Sequence, residues 1–211
     1  MVAEKKNNTP NVPALRFPEF SGEWEYCKIK DFGKVVTGNT PSTKISEYYD
    51  NGHCLWAGPG DLGQRKYVYN TKIKLSDKGF LKVRRIPCNS ILVTCIGSTI
   101  GKMGMAVGEM ATNQQINAVI PENCDPNFAY YAISHRFPKY LDSIAVQAVP
   151  ILSKSTFENL DNCRAEMAEQ IKIGNFLKII DERIDIQTKI IEELTTLRSA
   201  LAEKCSNQSG E

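Results

Sequence analysis

The sequence predicts an α+β chain: a strand-rich globular domain followed by one long C-terminal α-helix that forms an antiparallel coiled coil with a partner. Three observations carry this. Before residue 160, short segments rich in Val, Ile and aromatic residues alternate with Gly, Pro and Asn. After Glu166 there is no proline, and Gly174 is the one glycine before Gly210. In that same stretch apolar residues recur in steps of three and four, the seam of a coiled coil. The expected organisation is a loose lead-in (1–14), a globular domain (15–162), the helix (163–205) and a tail (206–211).

The elements follow in order. Strand candidates are 24–28, 34–37, 53–56, 90–96, 103–107 and 115–120, each bounded by turn residues. Asp125 before Pro126 reads as an N-cap followed by proline at the first helical position. The helix it opens runs to about Arg136, with Tyr130, Tyr131 and Ile133 available for packing. A second short helix is expected over 138–144, and Ser155 with Glu158 forms a capping box for one more. In the long helix the steps fall on Ile173, Leu177, Ile180, Ile184, Gln187, Ile191, Leu194, Arg198, Leu201 and Cys205, widened by Phe176, Ile190 and Leu197. Gln187 and Arg198 are either tolerated polar defects or residues that fix register. About 40 residues span roughly 60 Å. The sequence offers no second long helix to cover that seam, so its partner is another copy or another protein.

Composition narrows the class. The chain has 211 residues, 42% hydrophobic and 24% charged, and no apolar run approaches a membrane span. Residues 1–13 lack the apolar stretch of a secretion signal. Seven scattered cysteines with no C-x-x-C pair read as reduced thiols of a cytoplasmic protein. With only His53 and His135 available, no Cys/His group has the sequence spacing of a zinc site, and no metal is expected. Net charge is +2, but residues 61–85 hold eight bases (Arg65, Lys66, Lys72, Lys74, Lys78, Lys82, Arg84 and Arg85) against Asp61 and Asp77, a net of +6. An anionic partner or a solvated basic face accounts for this.

Two motifs resemble catalytic ones and fail on detail. ILVTCIGSTIGKMG (91–104) begins like a P-loop, but only three residues separate Gly97 from Gly101 where the P-loop has four. Met103 follows Lys102 where a magnesium-binding hydroxyl is needed. Asp125-Pro126-Asn127-Phe128 approaches the D-P-P-Y/F/W turn of amino-methyltransferases, with Asn127 for the second proline and no glycine-rich cofactor turn. No nucleophile–base arrangement stands out. The chain reads as a binder, with no catalytic residue.

Six stretches together resemble one family. They are LRFPEFSGEWEYCKI (15–29), TGNTPSTKISEYYDNG (37–52) followed by Trp56, IGSTIGKMGMA (96–106), NQQINAVIP (113–121), VPILSKSTFENL (149–160) and EQIKIGNFLKIIDERIDIQTKIIEEL (169–194). In this order they are similar to the specificity subunit of type I restriction-modification enzymes. Arg164 to Ala168 replaces the proline pair that usually precedes the Glu-Gln of the family's helix, and Val146-Gln147-Ala148 stands where a glycine often precedes Val-Pro. Family members usually carry two recognition domains and two antiparallel helices, against one of each here.

The resemblance implies a sequence-specific binder of double-stranded DNA, without catalysis, paired as a homodimer or with another specificity chain. It also implies a methyltransferase subunit and a restriction subunit as partners, which would hold S-adenosylmethionine, ATP and magnesium; this chain holds no cofactor. The candidate base readers are Gln64, Arg65, Lys66 and Asn70. Lys72, Lys74, Lys78, Arg84 and Arg85 join them as DNA contacts, and Ser98, Thr99 and Lys102 offer phosphate contacts. The alternative for the 97–102 loop is a purely structural turn, and for Asn113, Gln114 and Gln115 internal hydrogen bonding. Ile173, Leu177, Ile180, Ile184, Ile191, Leu194 and Leu201 are the coiled-coil residues. The alternative function is a helix-mediated module that sequesters other subunits without specific DNA binding.

Overall fold

The structure is a computed structural model that describes residues 11–144 and 150–208. Most of the lead-in, residues 145–149 and the last three residues of the tail lie outside the described residues. Eleven short strands and four helices form the described part: β1 (Glu25–Lys28), β2 (Gly33–Thr37), β3 (Cys54–Ala57), β4 (Tyr67–Val68), β5 (Ile73–Leu75), α1 (Asp77–Phe80), β6 (Arg85–Ile86), β7 (Ile91–Thr94), β8 (Met103–Ala106), β9 (Met110–Thr112), β10 (Ile116–Pro121), α2 (Pro126–Ile144), α3 (Lys154–Glu158), β11 (Asp161–Arg164) and α4 (Met167–Gln208).

The strands make a five-stranded sheet in the order β2-β10-β7-β8-β4, a four-stranded sheet β5-β3-β9-β6, and a two-stranded ribbon β1-β11. Both larger sheets are mixed, because β3 runs parallel to β9 and β4 parallel to β8. Alternation along β7 explains the layers. Ile91 and Val93 face one core with Phe32, Phe128, Ile133 and Phe157; Leu92 faces another with Ala57, Leu62, Ile86 and Ile116. The central sheet is therefore buried on both faces, between the helices and the four-stranded sheet. This is why 91–94 reads as a continuous apolar run rather than an alternating one.

Asp125 caps α2 as expected, its Oδ1 accepting from Phe128 N–H at 2.8 Å. The helix does not stop before Pro138. It continues to Ile144, losing one donor on a side where Ser134, Pro138 and Lys139 are exposed and water can satisfy the freed carbonyl. The cap of α3 is Ser153, which accepts from Thr156 N–H, not Ser155. The expected domain boundary at residue 162 falls inside β11, which pairs with β1 and so belongs to the globular part.

The long helix is 42 residues, and its base is held by two adjacent side chains. Glu169 is fully buried; its carboxylate accepts from Arg16 Nε at 2.8 Å, from an Arg16 terminal nitrogen at 2.7 Å and from Trp24 Nε1 at 3.2 Å. Gln170 accepts from Asp125 N–H at 3.1 Å and donates to the Ala165 carbonyl at 2.7 Å. One turn on, a Cβ at Gly174 would collide with the Asp125 carboxylate. Glycine is needed there for the close approach of α4 to the start of α2. Glu169→Ala removes the buried acceptor of two Arg16 donors and of Trp24 Nε1. It should lower stability, read as a lower urea midpoint, by less than the loss of a wholly buried pair because water can reach Arg16.

Candidate nucleic-acid interface

The basic segment 61–85 wraps from the end of β3 through β4, β5 and α1 to β6, and most of its cations are already engaged. Lys78 pairs with Glu47 at 2.7 Å and Arg85 with Glu109 at 3.6 Å. The Arg84 guanidinium donates to the Thr37 carbonyl at 2.8 Å. Arg65 reaches Glu192 on α4 at 3.7 Å. Among the described residues, Lys72, Lys74 and Lys82 have no ion-pair partner. These three, with Lys102 across the neighbouring turn, are the lysines here left free to meet an anion; Arg84 keeps its charge too, but its guanidinium is held by carbonyls.

Lys66 corrects the expectation that it reads bases. It is 6% exposed, and its ammonium donates to Asn127 Oδ1 and Tyr131 Oη, both at 2.9 Å. The rings of Tyr67, Tyr130 and Tyr131 surround it, the nearest centroid at 4.1 Å. Tyr131 in turn donates to Asp181 on α4 at 2.5 Å. Burial pushes the Lys66 ammonium down to about 8, partly countered by Asp181. Asn127, which spoils the methyltransferase-like motif, is therefore a lysine acceptor. Nothing in the sequence signals this, because a lysine inside a basic run looks solvated.

The 97–102 turn is mostly structural. Gly97 and Gly101 have φ of 93° and 89°, the left-handed conformation that glycine tolerates. The N–H groups of Gly97, Ile100, Gly101 and Lys102 all donate to carbonyls within the fold. These four are spent within the fold and are not available to a phosphate. A Cβ at Gly101 would press on Phe137 of α2. Ser98 and Lys102 remain exposed and Thr99 is half-buried. Asn113 and Gln115 bond to each other, the internal role held open for them.

Gln64, Arg65, Tyr69 and Asn70 are exposed on the loop around β4. Two clefts flank this loop. One of about 550 Å³ lies between residues 63–66, the 100–103 turn, α2 and the Asp181–Asp185 turn of α4. The other, of about 590 Å³, lies between residues 61–70 and the α4 stretch from Ile184 to Glu192. The loop is thus anchored to α4 by Lys66 through Tyr131 and by Arg65, while its other polar side chains point outward. Tyr69 was missed by sequence reasoning, since a lone tyrosine carries no motif.

The coiled-coil residues divide into two groups. Ile173 packs on the helical core, so it is used within the chain, whereas the half-buried Leu177 lines with it an apolar cleft beside Trp24, Phe128 and Ala132. This differs from the expected single seam because α2 supplies a packing face for the first turns. Ile180, Ile184, Ile191, Leu194 and Leu201 are between 39% and 64% exposed, as are Ile179, Ile186, Ile190 and Leu197. The side chain of Cys205 lies outside the described ones. Among the described residues no helix is long and apolar enough to cross a membrane.

Residues 21–196 match the family model of the type I restriction modification DNA specificity domain. The chain belongs to this family. It is 31% identical over 182 residues to the MjaIX specificity subunit of Methanocaldococcus jannaschii, covering 82% of this chain and 42% of that one. It is 32% identical over 146 residues to the HindI specificity subunit of Haemophilus influenzae, covering 65% and 31%. Its fold is similar to that of the type I S subunit of M. genitalium, with a TM-score of 0.63 and 18% identity over 87% of this chain and 45% of that one. The chain spans less than half the length of these family relatives.

The buried lysine gives a pH test. Its pKa is lower folded than unfolded, so the unfolded state binds more protons between about pH 8 and about pH 10.5, and wild-type stability gains from Lys66 as pH rises through that window. The Lys66→Met variant lacks this gain. The stability difference, wild type minus variant, should grow by about 2 kcal/mol between about pH 7.5 and about pH 9.5, measured by urea unfolding.

Proposed function

We propose that this chain is a non-catalytic specificity subunit that reads double-stranded DNA and directs a methyltransferase subunit and a restriction subunit to a split target. S-adenosylmethionine, ATP and magnesium belong to those partners in this reading. The observation that carries it is the family match, which runs without a break from the recognition domain into the helix as far as residue 196. The outward Gln64 and Asn70 around β4 supply base contacts to adenine, and the unpaired lysines supply phosphate contacts. The experiment is methylome mapping of cells expressing the chain with its methyltransferase partner, before and after residues 61–85 are exchanged for those of a relative. A changed target with assembly intact supports the reading. An unchanged target places readout elsewhere, and inhibition of another subunit without DNA binding favours the sequestering module.

The phosphate term has its own signature. Lys72→Gln with Lys74→Gln should weaken binding to all sequences alike and reduce the salt slope by about 0.9 per lost contact. Lys78→Gln should do less, because Lys78 is paired with Glu47. Equal loss for all three, or none, would remove this assignment.

The uncovered half of α4 calls for a second helix, and we assign it to a second specificity helix lying antiparallel. Each apolar side chain buried there contributes ~1.5–3 kcal/mol before entropy costs. A second copy gives two-fold symmetry and a target that is a split palindrome; a different specificity chain gives an asymmetric target. Ile191→Glu with Leu194→Glu should convert a dimer to a monomer in sedimentation and abolish modification while the domain stays folded. A wild-type monomer at micromolar concentration, alone and with the methyltransferase, would overturn the symmetric pairing.

A further inference from the structure

Away from the β4 loop, the corner between β3 and α1 brings together three side chains of different donor types. His53 Nε2 lies 3.1 Å from Asp77 Oδ1, and Cys54 Sγ lies 3.9 Å from the same oxygen. One ligand atom from each residue lies within 4.8 Å of the other two. We propose that His53, Cys54 and Asp77 form a three-ligand site for a zinc-class divalent transition ion, completed by water.

The spacing suits such an ion. With metal bonds of ~2.0 Å to N and O and ~2.3 Å to S, a tetrahedral centre holds its ligands roughly 3.3–3.8 Å apart. The present separations need side-chain adjustment only. Imidazole, thiolate and carboxylate are a mixed set that fits zinc and its first-row neighbours and does not suit calcium or magnesium, which take oxygen alone.

The backbone beneath the site is held. His53 N–H donates to the Leu75 carbonyl, and Cys54 pairs with Leu75 in the sheet. Ser76 caps α1 through Gly79 N–H and donates to the Glu47 carbonyl. Gly79 packs against the Tyr48 carbonyl with no room for a Cβ. The cation next in sequence, Lys78, is drawn off to Glu47, so it does not compete for Asp77. All three side chains reach solvent, His53 and Asp77 freely and Cys54 in part. Binding displaces the Cys54 thiol proton to solvent and involves no redox change. The bound ion would tie the start of β3 to the start of α1, and so close the base of the 58–76 segment. None of this depends on the DNA-reading proposal.

The sequence hides the site because His53 and Cys54 are adjacent and the third ligand is more than twenty residues away. It becomes a cluster only through the β3–β5 pairing.

The experiment titrates the full-length, reduced, chelator-treated chain with Co(II) alone, then displaces it with Zn(II). One equivalent of Co(II) should give a thiolate-to-metal charge-transfer band in the near ultraviolet and tetrahedral bands in the visible, both abolished by zinc. Cys54→Ser should remove the charge-transfer band. His53→Ala and Asp77→Asn should each weaken zinc by more than about tenfold, since loss of outer-sphere partners alone costs that much. Cys88→Ser, at an exposed thiol outside the cluster, should change nothing. If Cys54→Ser folds poorly by circular dichroism, His53→Ala, at an exposed side chain, carries the test. Absence of the band in wild type, its survival in Cys54→Ser, or unchanged zinc affinity in His53→Ala would each overturn the site.

Discussion

The seating of α4 depends on one carboxylate that water does not reach. Glu169 lies at the start of the long helix and binds Arg16 and Trp24, while its neighbour Gln170 binds the first turn of α2 and the chain leading out of β11. Segments from the beginning, middle and end of the globular domain thus meet within one turn of helix. Arg16 also donates to the carbonyls of Ser21 and Gly22, which folds the first segment around the same point. The geometry demands this rigidity. A tilt of about 10° at the base of a helix roughly 60 Å long moves its far end by about 10 Å. Such freedom would be incompatible with the proposed spacing of two recognition domains along DNA. A buried ion pair is a poor source of net stability, but it punishes every alternative orientation that would leave Glu169 unpaired.

The second anchor lies farther along the same helix. Lys66 sits behind the outward loop and is tied through Tyr131 to Asp181, and Arg65 reaches Glu192. A buried ammonium loses hydration, as its lowered pKa records, and the tyrosine faces and two oxygen acceptors offset that loss. The loop on which Gln64, Tyr69 and Asn70 stand is therefore positioned by the helix rather than by the sheet alone. Side chains that hold a loop in place are poorly suited to varying with the target. Those standing outward from it are free to vary.

Much of the fold was legible in the sequence. All six expected strands exist, with ends within two residues, because each carries branched or aromatic residues between turn signals. The five additional strands were not legible. β4 and β6 are two residues long, and β9 and β11 show no alternation. They are defined by partners distant in sequence rather than by their own pattern. Pro138 misled for the opposite reason: the local rule breaks the helix, and packing of Phe137 and Tyr140 into the core overrides it. The candidate interface was legible as a region and not as residues. A run of eight bases announces excess charge, but only the tertiary fold shows that Lys78, Arg84 and Arg85 are occupied and Lys66 is internal.

The long helix shows how one periodic pattern serves two purposes. Its apolar steps continue from Ile173 to Leu201 with no change in sequence character. Ile173 packs against the core and Leu177 is half-buried beside α2, whereas from Ile186 onward every apolar side chain described is exposed. The switch comes where the domain ends its contact, around Asp181 to Glu192, and not where the pattern changes. The part beyond Asp185 is 23 residues, roughly 35 Å of rod. Because a helix transmits rotation and rise without slack, fixing Glu169 at one end fixes the direction in which Ile191 and Leu194 face at the other. The orientation of the domain and the register of whatever helix covers the distal stripe are thus set by successive turns of a single rigid element.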